Sequence, residues 1–496
     1  MRTFIITLGV LIIGLFVKNV VAAATFDEAE LAKLRQFLIQ ESGERGVKNF
    51  EKLGLASMDD VYWASLPGVR WNGITSLLEW VSWPGYNLSG YLDLSDFAGL
   101  KYLNCANNDL KSVNLRNASA LIRADFYIND LRTIDVTTNP LLEYLRIGYN
   151  HISYIDLSHN PNLNFFCCTD NQFESLHISD NNRIQTFYCV GNKLYALEIA
   201  NCPNLETIAC DFNNLTSLHL SDLPSLKSLS CILNEINEIR FSNCPSLESI
   251  ICNNNALTAL DISFQKHLTT LNCNTNRITT LNLEGCESLT TLSCDNNLID
   301  RLDITSSPLV SSISCKYNNL SFLTLPLPTP QLKSYSYTPQ NYVAFASKYD
   351  SVDFSEIYNI EDNISRYSWY YLNVLIAPAE SNEGLFAFDE SHIGKTFVCR
   401  VQNRILPLLV MHYDVTFTQG SDVGNRNPDN DGLSVYASDG TIHIVTGSSA
   451  RVGIYSLQGV LLTERMVGAG HAGIPAERGA YVVIVNNTNR YKLIVR

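Results

Sequence analysis

A 21-residue period dominates the centre of this chain and leaves it few ways to fold. The segment Leu100-Lys-Tyr-Leu103-Asn-Cys105-Ala-Asn-Asn108-Asp-Leu110 recurs in the form L-x-x-L-x-C-x-x-N-x-L, with starts at Leu100, Leu121, Leu142, Leu163, Ile184, Leu205, Leu226, Leu247, Leu268, Leu289 and Val310. No insertion or deletion breaks these eleven registers. The ninth position is Asn in every one, from Asn108 and Asn129 through Asn297 and Asn318. The sixth is Cys in nine registers and Phe126 or Ile147 in the other two.

The columns dictate the architecture. Alternation at the fourth and sixth positions predicts a short strand with one buried face. A buried Asn where the chain leaves the strand can satisfy backbone groups and form a ladder along the stack. One such unit cannot bury its apolar side alone, so the core exists only between stacked neighbours. Eleven coils at a strand spacing of about 4.8 Å give a stack on the order of 50 Å long. The expected fold is a leucine-rich repeat solenoid over residues 84–325. A line of one thiol per coil lacks the convergence a tetrahedral metal site needs. Bridges between adjacent coils would strain the parallel ladder. The sixth-column cysteines therefore read as small buried hydrophobes. Cys202, Cys244 and Cys286 form another column, spaced two coils apart and too distant to bridge.

The cysteine-for-leucine column resembles that of internalin J-like leucine-rich repeat proteins, over about Leu78 to Leu325. That resemblance implies a bacterial surface protein used in adhesion. Residues 25–83 read as a helical N-terminal cap. Thr25-x-x-Glu28 reads as a capping box, with Leu31, Leu34, Phe37 and Leu38 following at helical spacing. Trp63, Trp71, Trp80 and Trp83 read as cap core.

Beyond Leu325, Pro-Leu-Pro-Thr-Pro reads as a rigid linker and the repeat ends. Residues 326–420 show short alternating strands. Trp369 followed by Cys399 matches the strand-C Trp and strand-F Cys of an immunoglobulin-like sandwich, without a partner cysteine for an inter-sheet bridge. This region resembles the immunoglobulin-like domains that follow internalin repeats. Residues 421–431 read as a polar linker; Asn427-x-Asp429-x-Asp431-Gly432 partly imitates a calcium loop, but Ser438 stands where its closing Glu would be. Residues 432–496 read as a small C-terminal β-sandwich. Val452-Gly-Ile-Tyr-Ser-Leu-Gln-Gly459, Arg478-Gly-Ala-Tyr-Val-Val483 and Lys492-Leu-Ile-Val-Arg496 resemble the C-terminal sorting domain of type IX secretion substrates in Bacteroidota. That resemblance implies passage across the outer membrane and attachment to surface lipopolysaccharide. The fold class expected for the whole is mainly β.

At the other end, Met1-Arg2, an apolar run from Phe4 to Val17 and Ala22-Ala23-Ala24 follow the order of a secretory signal peptide over residues 1–24. No later run approaches the length of a membrane span. Thirty-five Lys and Arg against 49 Asp and Glu give a formal net charge of −14. Nucleic acid, which needs clustered positive charge, is not the expected partner. The chain has no H-E-x-x-H, G-x-S-x-G or P-loop. Gly468-x-Gly470-x-x-Gly473 leads into Ile474-Pro475 and reads as a glycine-rich turn. His151, His177 and His219 read as surface side chains. No catalytic residue, cofactor or metal ligand is assigned, and an enzyme is not expected.

The positions flanking each repeat strand should line the concave face. The candidate partner-binding residues there are Tyr102, Arg123, Asp125, Tyr127, Tyr144, Arg146, Tyr149, Phe165, Tyr188 and Phe212. In the last coils the third and fifth positions become Thr270, Asn272, Thr291, Ser293, Ser312 and Ser314, so the face is polarised. Tyr and Arg dominate interface hot spots, and an aromatic strip also suits sugar rings by stacking. The expectation is a surface adhesin that binds a protein or glycan on host cells or neighbouring bacteria, with a role in biofilm formation as its alternative setting. A scaffold of the cell envelope without a dedicated ligand is the competing reading.

Overall fold

The computed structural model describes residues 26–418 and 434–495, apart from short breaks at 60, 349–350, 439–440, 447–448, 457–460, 469, 477–478 and 487–488. The signal-peptide reading at 1–24 and the calcium-like loop and linker at 421–432 lie outside the described residues. Those described fall into two compact units. One comprises residues up to Tyr342 with Ile360–Ile364 and Gln402–Met411; the other comprises Val343–Asn359, Ser365–Val401 and the residues from His412 on.

The first unit is a leucine-rich repeat β-solenoid whose repeats carry a cysteine ladder. Each register contributes a three-residue strand at its third to fifth positions, such as Tyr102–Asn104, Thr207–Ala209 and Thr291–Ser293. These strands join a 14-stranded sheet that is antiparallel only between its first two members, Val69–Trp71 and Leu78–Ser82. Pairing is in register from coil to coil: Thr186 faces Thr207, and Thr207 faces Ser228. The fourth-position side chain is buried and its neighbours are half-buried, as one-sided alternation requires.

The Asn column closes each coil. The Nδ2 of Asn213 donates to the carbonyls of Cys189, Cys210 and Asp211 at 3.0, 3.0 and 3.1 Å, and its Oδ1 accepts from Leu194 N–H at 3.0 Å. The same pattern recurs at Asn150, Asn171 and Asn297. All 14 cysteines are buried, unpaired thiols. A second asparagine ladder lies on the opposite turn. Asn139, Asn160 and Asn181 each donate to backbone carbonyls of the preceding coil. Cys202, Cys244 and Cys286 continue it, with Sγ against the carbonyls of Ile178, Leu220 and Ile262.

The sheet runs past the 84–325 span at both ends. At its far end, Ser334–Ser336 pairs with Ser312–Ser314. Gln340 takes the place of the ladder Asn, donating to Cys315 O at 2.9 Å and accepting from Asn318 N–H at 3.2 Å. Pro326–Pro330 therefore lies within a coil and is not the end of the repeat. At the near end, only Glu28–Leu38 and Asn49–Lys52 of the cap are α-helical. The other described residues of the cap form turns, a short 3-10 helix at Trp63–Ser65 and the strands Val69–Trp71 and Leu78–Ser82, which give the first coil a partner for its sheet edge. The helix cap is Asp27, whose Oδ1 accepts from Ala29 and Glu30 N–H at 2.9 and 3.0 Å, in place of the Thr25 box.

Glu30 joins the cap helix to the sheet. Its Oε2 accepts from Leu78 N–H at 2.8 Å, while Oε1 is buried without a hydrogen bond. Burial pushes this carboxyl up from 4.5 to about 7. The raised value means that stability is full in acid and falls as the group ionises between about pH 4.5 and 7. Glu30→Gln keeps an acceptor for Leu78 and removes the ionisation. Urea unfolding should show the variant gaining on wild type by on the order of 2–3 kcal/mol between acid and mild alkali. A difference independent of pH would contradict it.

In the second unit, a five-stranded sheet has the order Val343–Lys348, Val410–Thr418, Thr396–Gln402, Arg366–Tyr371, Val374–Ile376. A three-stranded sheet is formed by Ser351–Asp353, Leu385–Ala387 and Glu380–Asn382. Trp369 of the first sheet is buried at 5.3 Å from Phe386 of the second. Residues from Ser434 form a small β-domain of three- and four-stranded sheets around Val435, Ile444, Val452 and Val483. Gly470–Pro475 is a strand there, paired with Thr441–Thr446, and not the turn expected from its glycines. Among the described residues no helix is long and apolar enough to cross a membrane.

Candidate binding face

Third-position side chains of adjacent coils stand about 4.8 Å apart on the outer side of the long sheet. Flat groups at that spacing can stack on one another, and here they do. Trp80 and Tyr102 are parallel within 4° at 3.4 Å between ring centroids. Tyr144 and Phe165 are parallel within 5° at 4.4 Å. Arg123 fills the gap between these pairs, its guanidinium 3.4 Å from the Tyr144 centroid and 5.9 Å from that of Tyr102. Arg70 extends the stack over Trp80 at 5.0 Å, and Tyr188 ends it edge-on to Phe165 at 5.9 Å.

A second cluster flanks the first. Arg146 lies 3.5 Å over Tyr127, and Tyr127 meets Tyr149 edge-on at 5.1 Å. Asp125, only 5% exposed, sits between the two arginines at 3.9 Å from Arg123 and 3.8 Å from Arg146. Its Oδ1 accepts from Tyr127 N–H at 3.2 Å. Burial, followed by the Asp125 charge, raises the Tyr144 phenol above its ordinary range. A hydrogen bond to Asp170 does the same for Tyr149.

Nine of the ten residues singled out from sequence thus form one connected surface. Phe212 does not join it. It is 55% exposed and makes no ring contact among the described residues. Sequence reasoning missed Trp80, which it placed in the cap core. Trp63 and Trp83 are buried there, with Trp83 Nε1 donating to Pro67 O at 2.7 Å. Trp80, however, pairs in register with Tyr102 and opens the stack. The signal was present but displaced: Leu78 and Leu100 are 22 residues apart, one more than the period.

The backbone beside the face is unusual. The eighth position has positive φ in every coil, including bulky Ile128 (57°), Tyr149 (55°), Phe212 (54°) and Leu233 (53°). Such a conformation is costly for side chains of this kind. It is held because each eighth-position N–H bonds to the next coil, as Tyr149 does to Thr169 O at 2.7 Å and Phe212 to Ile232 O at 2.8 Å. The conformation carries Tyr149 outward, 47% exposed.

Beyond Phe165 the third position carries only hydroxyl side chains, from Thr186 and Thr207 to Ser312 and Ser334. The histidines at 151, 177 and 219 are exposed and pair with Asp130, Glu198 and Glu238. Among the described residues no group of three or more His, Cys, Asp or Glu could hold a metal ion.

No protein-family model and no curated protein matches the chain. Solved structures do. The functional domain of InlJ from Listeria monocytogenes, which includes a cysteine ladder, is 18% identical with a TM-score of 0.38, over 66% of this chain and 90% of that one. The leucine-rich repeat domain of APL1B is 21% identical with a TM-score of 0.41, over 46% of this chain and 74% of that one. YopM, a leucine-rich effector protein from Yersinia pestis, is 22% identical with a TM-score of 0.34, over 46% and 78%. The likeness is one of repeat fold.

Proposed function

We propose that this chain is an exported cell-surface adhesin that binds a protein partner through the first five coils of its long sheet. The observation that carries the reading is the continuous stack from Trp80 to Phe165 with Arg123 inside it. Aromatic and arginine side chains that are already immobilised lose little entropy on docking, and such residues supply most interface energy. The stack also favours protein over glycan. A sugar ring binds an aromatic by lying on its face, and here the inner faces of Tyr102, Tyr144 and Phe165 are covered by neighbouring rings or guanidinium. What projects outward is ring edge and N–H.

Attachment to surface lipopolysaccharide through residues 432–496 is part of the proposal, as is use in host adhesion or biofilm formation. Retention of the chain in the cytoplasm or inner membrane on fractionation would remove it. The binding surface is tested with Tyr127→Ala, Arg146→Ala and Tyr149→Ala combined. Adhesion of cells carrying the triple variant should fall at least about tenfold, as loss of hot-spot residues requires. Unchanged adhesion at equal surface expression would sink the reading.

A further inference from the structure

A surface guanidinium ordinarily pairs with a carboxylate at hydrogen-bond distance or moves freely in solvent. Arg123 and Arg146 do neither. Each is held flat against a tyrosine ring, at 3.4 Å on Tyr144 and 3.5 Å on Tyr127. The acid between them, Asp125, stands 3.9 and 3.8 Å away, beyond hydrogen-bond length. It is buried and receives Tyr127 N–H instead. It orients both cations without consuming their N–H edges. Arg70, exposed and stacked on Trp80, adds a third cation. Asp170, bonded to Tyr149, adds a second acid at the rim. Within the stack and its rim three arginines stand against Asp125 and Asp170, while Glu79 beside Trp80 is already paired with Lys101 at 2.8 Å, in a chain of formal charge −14.

We propose that this face recognises carboxylates displayed by an acidic segment of its protein partner. The inference rests on the reading of the face as the binding surface and names the chemistry it selects. A guanidinium locked in plane offers a two-pronged donor that matches a carboxylate, with its rotamer already fixed. The outward edges of the stacked rings carry the positive rim of the aromatic quadrupole, which also suits oxygen acceptors. Past Phe165 the third position carries only uncharged hydroxyls and no further arginine joins the stack, while Asp211 and Asp295 stand at the seventh position, so the acid-reading part is confined to the coils before Thr186.

The test titrates the full chain with a fluorescent hexaglutamate peptide, with hexaglutamine and an oligogalacturonate as comparison probes. Hexaglutamate should bind, and binding should weaken roughly tenfold between about 50 and 300 mM salt. Arg123→Gln with Arg146→Gln should weaken it by a further factor of roughly ten, with an unchanged circular dichroism spectrum. Arg70→Gln, on an exposed side chain, should give a smaller loss in the same direction. The lysine versions, which keep charge but lack the planar fork, should not restore full binding. Equal binding of hexaglutamine, or a double variant that binds like wild type, overturns the proposal. Tighter binding of oligogalacturonate assigns the site to acidic polysaccharide and overturns the protein partner. Self-association abolished in the double variant assigns it to a second copy, with the same consequence. If the triple alanine variant loses adhesion while hexaglutamate never binds, the surface stands and its preference for acids falls. If that variant adheres normally, the surface itself falls.

Discussion

Asn213→Ala should destabilise the solenoid by about 3 kcal/mol, although the side chain touches no ligand and carries no charge. The size follows from its partners. Cys189 O and Cys210 O would each keep a second donor, from Asn192 at 3.1 Å and Asn234 at 3.0 Å. Leu194 N–H would keep none, because Asn213 Oδ1 is its acceptor. Leu194 is fully buried, so that donor cannot turn to water. One orphaned buried N–H costs about 1–3 kcal/mol, and the lost bonds to shared carbonyls add to it. Asn204→Ala is the control: its amide bonds only to Asn182 O, on an exposed turn, and should change stability by less than about 0.5 kcal/mol. Denaturant unfolding gives the totals, and hydrogen exchange at Leu194 locates the defect. A loss below about 1 kcal/mol would mean that the ladder is ornament and not structure.

The second large effect is alkaline. Nine cysteines fill the sixth column inside the stack, eight of them in consecutive coils from Cys168 to Cys315 and Cys105 set apart by Phe126 and Ile147. Burial raises each thiol whose shift is resolved there, Cys252 and Cys315 to about 12 and Cys189, Cys231 and Cys273 well above the ordinary value of 9.0. Neighbouring thiols add to the rise at Cys189 and Cys231. In the unfolded chain these groups ionise near their ordinary value. Stability is therefore intact below about pH 9 and falls as pH rises above it. Each thiol costs about 1.4 kcal/mol by about pH 10. Summed over the column, that is on the order of 12 kcal/mol, comparable to the whole stability of a typical domain. Ellipticity followed against pH should collapse steeply above about pH 9, with thiolate absorbance appearing only as the fold is lost. Cys231→Val should lower the slope by roughly one proton. Thiols that titrate while the fold stays intact would overturn this account.

Both effects arise from columns visible in the sequence, because a solenoid repeats the same bond at every coil. Asn213 can be read as a ladder residue from Asn192 and Asn234 alone. Where the period slips by one residue, reading along it fails. Trp80 and Gln340 occupy repeat positions, but each is offset by 22 residues from its neighbour, so both lie outside the eleven 21-residue registers. The second ladder was hidden for another reason. Asn139, Asn160 and Asn181 give way to Cys202, Leu223 and Cys244, and only their shared bonding to the preceding coil unites the polar members as one column. The positive-φ column was hidden by its own residues, since Ile128, Phe212 and Leu233 are types that ordinarily avoid that conformation.

The sequence by itself determined the coil, its period, its buried Asn and Cys columns and the change from aromatic to hydroxyl along the outer face. All of these are one-dimensional patterns that a stacked repeat converts directly into space. Only the tertiary structure decided what the aromatic face presents. Whether a tyrosine offers its face or its edge depends on which side chain of the next coil lies against it, a few ångströms away. Tyr102, Arg123, Tyr144 and Phe165 lean on one another, so the surface shows edges and guanidinium N–H where an isolated strip would have shown open rings.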